Sequence, residues 1–140
     1  MESHRLGLLA TLRRDGSPRI SPIEPLFARG ELWLGMMTGS RKVGDIRRDA
    51  RLAIHGATID PSNAEGDAKI SGRGLPVDDQ ASIDGFLAAF ESATGYPPPP
   101  GPFALFRVDV KEISTVRPVG DHLVIEWWRE GGPVRRVDRR

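Results

Sequence analysis

Short apolar segments separated by glycine- and proline-containing turns run along most of the chain, and this arrangement constrains the fold more than any other feature. The first segment, Gly7 to Arg13, is followed by Asp15-Gly16-Ser17, where glycine tolerates the positive φ of a tight hairpin turn. The other segments of strand length are Arg19–Phe27, Glu31–Met37, Arg51–His55, Asp67–Val77, Phe103–Val116 and Leu123–Trp128. About seven short strands joined by tight turns indicate an antiparallel barrel or sandwich.

Two segments have helical character. Ser40 is a good N-cap for a short helix from Arg41 to Arg48. A longer helix begins at Asp78-Asp79 and ends before the proline run at residues 97–100. Its apolar residues follow one stripe, which predicts ordinary packing against the barrel. These residues are Ile83, Phe86, Leu87 and Phe90.

Composition excludes several classes of function. The chain has 140 residues, which predicts a single domain over 1–140. A net charge of +1 and a single tyrosine argue against a nucleic-acid-binding barrel, which needs aromatic side chains beside a basic groove. The absence of cysteine excludes disulfides and thiolate chemistry. No apolar run reaches membrane-spanning length, so we expect a cytoplasmic protein without a membrane partner.

The segment Thr38-Gly39-Ser40-Arg41-Lys42 carries the clearest chemical signal. Cations in the first turn of a helix are unfavourable by ~0.3–1 kcal/mol each, because the helix dipole is positive there. A bound phosphate would reverse that effect, since backbone N–H groups, the Ser40 hydroxyl and both cations could converge on it. The alternative is a solvent-exposed helix start, in which the long side chains of Arg41 and Lys42 extend into water. The motif alone does not decide between this interpretation and a phosphate site. No metal site is predicted, because His55 has no second ligand at suitable spacing.

Three blocks in this order resemble the pyridoxamine 5'-phosphate oxidase-like family of FMN-binding split barrels. The first runs from the Asp15-Gly16-Ser17 turn through Arg19 and the ELWLG strand to Ser40-Arg41-Lys42. The second is Asp67–Arg73, and the third joins Ile125–Arg129 to Arg135–Arg139 with one inserted residue. The resemblance implies a mainly β fold, a six- to seven-stranded antiparallel split β-barrel with two helices.

The resemblance also implies a cofactor site for FMN at the interface of a homodimer. Arg19, Ser40, Arg41 and Lys42 would hold the phosphate. Backbone around Ile20-Ser21 and Gly35-Met36 would face the isoalloxazine ring. Trp128 and Arg139 would reach the cofactor of the other subunit.

Departures from the family pattern concern the substrate. Glu24 stands where the true oxidase has a phosphate-binding lysine, and a carboxylate repels a phosphorylated substrate. Val137 replaces the signature histidine, and Asp67 falls near the position of a flavin-contacting glutamine. Arg135 matches the substrate arginine. We therefore expect a small-molecule substrate and an activity other than pyridoxamine 5'-phosphate oxidation.

Three functions remain open from the sequence. The preferred one is an FMN-dependent oxidoreductase, in which the flavin supplies the hydride chemistry. The deazaflavin F420 is the alternative cofactor, because its phosphate could meet the same Arg41-Lys42 pair. A flavin or haem carrier without catalytic activity is the third. For the basic residues 135–140, a disordered tail is the alternative to a place in the site, above all for Arg136 and Arg140.

Overall fold

The computed structural model describes residues 6–57, 62 and 64–140. In these residues the chain forms nine strands and two helices. The strands are β1 Gly7–Leu12, β2 Pro18–Ile23, β3 Leu26–Ala28, β4 Glu31–Met37, β5 Arg51–Gly56, β6 Asp67–Val77, β7 Phe103–Val119, β8 His122–Arg129 and β9 Arg135–Arg139. The helices are α1 Arg41–Arg48 and α2 Gln80–Thr94. None of the described helices is long and apolar enough to cross a membrane.

All strand pairs are antiparallel, and the sheet follows the order β2-β1-β5-β6-β7-β4-β3. Its two ends, β2 and β3, are consecutive in the chain and separated only by Glu24 and Pro25. Ile23 of the end strand β2 lies in one buried cluster with Leu34 of β4, the neighbour of the other end strand. The sheet is therefore rolled into a barrel around that core.

The barrel is split where its two ends meet. Within the described residues no strand pairs with the outer edge of β2, and β3 covers β4 only from Glu31 to Trp33. The edge of β4 from Leu34 to Met37 therefore has no strand partner in the described part of the chain. We call these two open edges the seam. Unpaired backbone groups along such edges are available to a ligand or to another chain.

Both helices pack where the sequence predicts. In α1, Val43 and Ile46 enter the barrel core. In α2, Phe86 and Phe90 are buried against Trp33 of β4 and Leu105 of β7 on the outside of the barrel. Asp79 caps α2 by accepting a hydrogen bond from Ser82 N at 2.9 Å.

Seven strands lie on the path around the barrel, in agreement with the predicted six to seven, but the sheet as described has nine strands in all, and two places explain the larger total. The predicted strand Arg19–Phe27 is divided into β2 and β3 at Glu24-Pro25, where proline removes a ladder donor. Residues 135–139 form β9, which pairs with β8 from Trp127↔Arg135 to Leu123↔Arg139. The alternative of a disordered tail is therefore wrong for these residues, including Arg136.

β7 is a single strand that serves two parts of the sheet. Its first half pairs with β4, and from Glu112 onward it pairs with β8. Between the two halves its pairing with β6 shifts, since Ser71 pairs with Glu112 and Gly72 with Val110. Lys111 is the extra residue of this β-bulge. Beyond it, β8, β9 and the end of β7 form an extension that we call the arm.

Candidate functional site

Asp45, a carboxylate on α1, is the centre of a buried polar network between the helix and the barrel. Only 2% of its surface is exposed. Its Oδ2 atom accepts hydrogen bonds from Thr11 Oγ1 and Arg19 Nε, each at 2.7 Å. Its Oδ1 atom accepts a third from Arg48 Nη2 at 3.0 Å. These contacts fix α1 against β1 and β2.

The environment keeps Asp45 ionised. Burial tends to raise the pKa of its carboxyl, but hydrogen bonds from Arg19, Thr11 and Arg48 outweigh burial and hold that pKa below its ordinary value of 3.8. The side chain of Arg19 is thereby held beside α1, with 20% of its surface exposed. One edge of its guanidinium is used by Asp45, and a guanidinium has further donors for a second anion.

The first turn of α1 contains no acidic residue. Lys42 Nζ donates a hydrogen bond to the carbonyl oxygen of Pro22 at 2.8 Å, and burial lowers the pKa of its ammonium group. Ser40 occupies the N-cap, but its Oγ makes no capping hydrogen bond and has no partner in the described residues. The residues present therefore fit a phosphate group.

A surface cleft of ≈ 710 Å³ lies beside this network. It is lined by five arginines and two aspartates, which we call the arginine cleft: Arg13, Arg14, Asp15, Arg19, Arg41, Asp45 and Arg48. Two of the predicted phosphate ligands, Arg19 and Arg41, thus line the same cleft. Lys42 and Ser40 are not part of the lining but adjoin Arg41 in α1.

The predicted ring-binding residues lie at the seam. Ile20 and Ser21 belong to β2, and Ile20 is 71% exposed on the outside of the barrel. Met36 points into the core from β4. Gly35 is covered by α2, because a Cβ atom there would lie 2.7 Å from Phe86 Cζ. Contact of Gly35 and Met36 with a ligand would therefore use their backbone atoms.

The two residues predicted to reach the cofactor of a second subunit, Trp128 and Arg139, lie on the arm. Trp127 pairs with Arg135 across β8 and β9, and Arg139 lies on the same face by alternation. Trp128 pairs with Ile113, which in turn pairs with Ile70 on the core-facing side of the sheet. Trp128 and Arg139 thus lie on opposite faces. Both tryptophans are half-buried, so neither is a core residue.

The predicted substrate residues are distributed between two places. Glu24 is half-buried in the connection between β2 and β3, at one end of the seam. Arg135 lines a cavity of ≈ 520 Å³ at the β8–β9 hairpin together with Trp127. The two residues therefore lie in different elements of the subunit.

The family assignment follows from sequence comparison. A family model described as pyridoxamine 5'-phosphate oxidase matches residues 1–117. The chain belongs to the pyridoxamine 5'-phosphate oxidase family. No curated protein matches it.

Solved structures show the same fold as this oxidase-family chain. A pyridoxamine 5'-phosphate oxidase-related FMN-binding protein from Nostoc punctiforme has 16% identity and a TM-score of 0.67, with 98% of this chain and 88% of that chain covered. PhzG from Burkholderia lata, in complex with tetrahydrophenazine-1-carboxylic acid, has 15% identity and a TM-score of 0.66, covering 99% and 83%. A conserved hypothetical protein of Mycobacterium tuberculosis has 21% identity and a TM-score of 0.66, covering 79% and 76%.

Sequence reasoning missed Asp45 and Thr11 in this member of the oxidase family. Asp45 lies between Val43 and Ile46, the two apolar residues of α1, and a position so close to an apolar stripe can be buried. The neighbouring Arg47 and Arg48, however, favour the prediction of a charged, solvent-exposed segment. The pairing that buries Asp45 depends on Arg19, 26 residues away in sequence.

Proposed function

We propose that this oxidase-family chain binds FMN along the seam, with the phosphate at the start of α1, and acts as a flavin-dependent oxidoreductase. The observation that carries the proposal is the position of Arg41 and Lys42. Only three residues separate this pair from the open edge of β4, and the first turn of their helix contains no acidic residue. The seam provides unpaired backbone groups for a flat polar ring. The helix start and the arginine cleft provide positive charge for its phosphate.

Two hydrogen bonds between α1 and β2 support this placement of the phosphate. Asp45 holds Arg19, and Lys42 reaches the Pro22 carbonyl, so both sides of the site are fixed before a ligand arrives. A preorganised site loses little conformational freedom on binding. The FMN-binding relative from Nostoc punctiforme shares the fold over 98% of this chain.

Oxidation of pyridoxamine 5'-phosphate is not the proposed reaction. Glu24 lies at the end of β2, where a phosphorylated substrate would need a cation, and Val137 has no hydrogen-bonding side chain. Bound flavin would supply hydride transfer to or from a substrate placed against its ring. The role of this chain is to bind and orient both molecules and to hold the charges described above.

A homodimer is part of the proposal. Ile20 is 71% exposed beside the seam, and Leu123 and Val137 are each 40% exposed on the arm. Burying such apolar surface against a second copy is favourable by roughly 25 cal/mol per Å². In the dimer we place Arg139 toward the site of the other subunit together with Trp127, which shares its face, whereas the predicted Trp128 lies on the opposite face of the arm.

The phosphate assignment is tested by FMN titration with fluorescence quenching. Arg41→Ala combined with Lys42→Ala removes two charge-assisted hydrogen bonds and should weaken FMN binding by about 100-fold or more. Arg47→Ala is the matched control, since it removes a cation from the exposed side of the same helix. Riboflavin, which lacks the phosphate, should bind weakly to all three proteins. Equal FMN affinity for the double variant and the control would overturn the proposal.

F420 is the second candidate cofactor, favoured by the cations of the arginine cleft that extend beyond Arg41. Quenching titrations with FMN and F420 under the same conditions distinguish the two. Tighter binding of F420, together with reduction of a substrate only in its presence, would replace FMN in the proposal. Tight flavin binding without turnover by any reductant would indicate a carrier.

A further inference from the structure

The arginine cleft holds more positive charge than one phosphate group neutralises. Five guanidinium groups and two carboxylates line it, which leaves an excess of three positive charges. Asp45 is already shared by Arg19 and Arg48. A phosphate monoester carries a charge of about −1.5 to −2 at neutral pH. Lys42, adjacent to the cleft, increases the excess further.

The arginines of the cleft that form no ion pair among the described residues lie on the β1–β2 hairpin and at the start of α1. Arg13, Arg14 and Arg41 have no carboxylate within ion-pair distance among the residues that the structure describes. The turn itself is rigidly hydrogen-bonded: Arg13 N donates to Ser17 O at 2.8 Å, and Asp15 Oδ1 accepts from Ser17 N and Oγ at 3.0 and 2.6 Å. Asp15 is therefore held by Ser17, and the backbone that carries both arginines is held in place. The hydrogen bonds from Ser17, with a smaller effect of the Arg13 charge, lower the pKa of the Asp15 carboxyl, so Asp15 offsets part of the positive charge of the hairpin.

We infer that Arg13 and Arg14 form a second anion subsite beside the phosphate site, and that the cleft binds a ligand with two linked anionic groups, such as a diphosphate. The inference deepens the proposed function and rests on it for the position of the first phosphate. The first anionic group meets Arg41 and Arg19, and the second meets the hairpin. Arginine suits this role because its planar fork binds phosphate oxygens in pairs.

The linked geometry explains why a diphosphate is preferred over two separate ions. Two anionic groups on one molecule place the second at high effective concentration once the first is bound. Each additional neutralised charge also steepens the dependence of affinity on salt. An FAD-type diphosphate and an acidic tail such as that of F420 share this chemistry.

The test compares phosphate and pyrophosphate as probes, by direct calorimetric titration and by displacement of FMN. Wild-type protein should bind pyrophosphate at least ten-fold more tightly than phosphate. Arg13→Gln combined with Arg14→Gln should reduce that ratio to about two-fold or less, while the Kd of FMN changes by less than about three-fold. The control, Arg47→Gln with Arg140→Gln, removes the same charge outside the cleft and should keep the ratio.

Each outcome separates this inference from the proposed function. If FMN binds but wild-type protein shows no preference for pyrophosphate, the second subsite is refuted and the flavin proposal stands. If pyrophosphate is preferred in calorimetry and FMN does not bind, the subsite stands and the flavin proposal falls. A control variant that lowers the ratio as much as the hairpin variant refutes the subsite. Titrations with FAD and F420 then show whether the second group is a phosphate or a carboxylate.

Discussion

Replacing the buried carboxylate of Asp45 by an amide tests the network on which the site depends. Asp45→Asn preserves the size of the side chain and removes its charge. The amide NH₂ group replaces one acceptor oxygen, so either Arg48 or the pair of Thr11 and Arg19 faces a donor in place of an acceptor. Thr11 is 2% exposed, so its hydroxyl cannot turn to water if it loses this partner.

The size of the effect follows from these contacts. A hydrogen bond to a charged group contributes about 1.5–3 kcal/mol, and breaking a fully buried pair costs about 3–5 kcal/mol. Arg19 and Arg48 are 20% and 32% exposed, so water partly replaces their lost contacts. We therefore expect the free energy of unfolding to fall by about 2–3 kcal/mol, which corresponds to a Tm lower by roughly 6–9 °C.

The assay is urea unfolding at neutral pH, followed by tryptophan fluorescence. Asp49→Asn is the matched control, because it removes the same charge at the exposed end of α1. Hydrogen bonds from Arg51 lower the pKa of Asp49 to about 2, but Arg51 is 66% and Asp49 30% exposed, so water reaches both partners. The control should shift the unfolding midpoint much less than Asp45→Asn. Equal midpoints for the two variants would refute the reasoning that burial makes Asp45 important.

The pH dependence has a definite sign. The pKa of Asp45 is lower in the folded protein than its ordinary value of 3.8. Its contribution to stability is therefore complete above that value and is lost as the pH falls through the folded pKa. The difference in unfolding free energy between wild type and Asp45→Asn should narrow below pH 3.8. A difference that stays constant down to pH 2 would contradict the assignment of an ionised carboxylate.

Four further outcomes are expected. Gly35→Ala should cost about 1–3 kcal/mol in urea unfolding because its Cβ would lie 2.7 Å from Phe86 Cζ, and Phe86→Leu in the same chain should recover part of that cost. Gly72→Ala should be more damaging, since its Cβ would overlap the Asp109 carbonyl oxygen of the neighbouring strand, and a low yield of folded protein would show this. FMN affinity should fall as salt rises, and a salt-independent Kd in quenching titrations would argue against a phosphate anchor. Sedimentation equilibrium should give twice the monomer mass, and a monomer at all concentrations would remove the shared site.

The sequence predicts the helices and most strands because local signals define them. Asp79 and the αL residue Gly95, with φ 78°, bound α2 where an N-cap and a C-cap glycine are expected. Local signals fail for β9, whose residues RRVDR show no apolar alternation. This strand is held by its ladder with β8 and by the Arg136–Asp138 ion pair at 3.1 Å. The pairing of β9 with β8 cannot be predicted from the composition of β9 alone.

The candidate site could be predicted only in part. The motif at Ser40 to Lys42 stands out because its charges oppose the helix dipole. Arg13 and Arg14 carry no such signal, since a hairpin tip with two arginines resembles any solvated turn. Their relation to Arg41 becomes visible only when β1, β2 and α1 are brought to one cleft. Long-range placement of this kind is a property of the folded barrel.

The single inserted residue at Lys111 determines which way the arm presents its side chains. Up to Val110 the even-numbered residues of β7 face the core, whereas Ile113 does so after the insertion. If the strand ran through without this step, strict alternation would invert every position from Glu112 onward. Trp128 would then exchange sides with Trp127, and each of the three arginines of β9 would point to the opposite surface. One inserted residue thus decides which side chains the arm presents on each of its two faces.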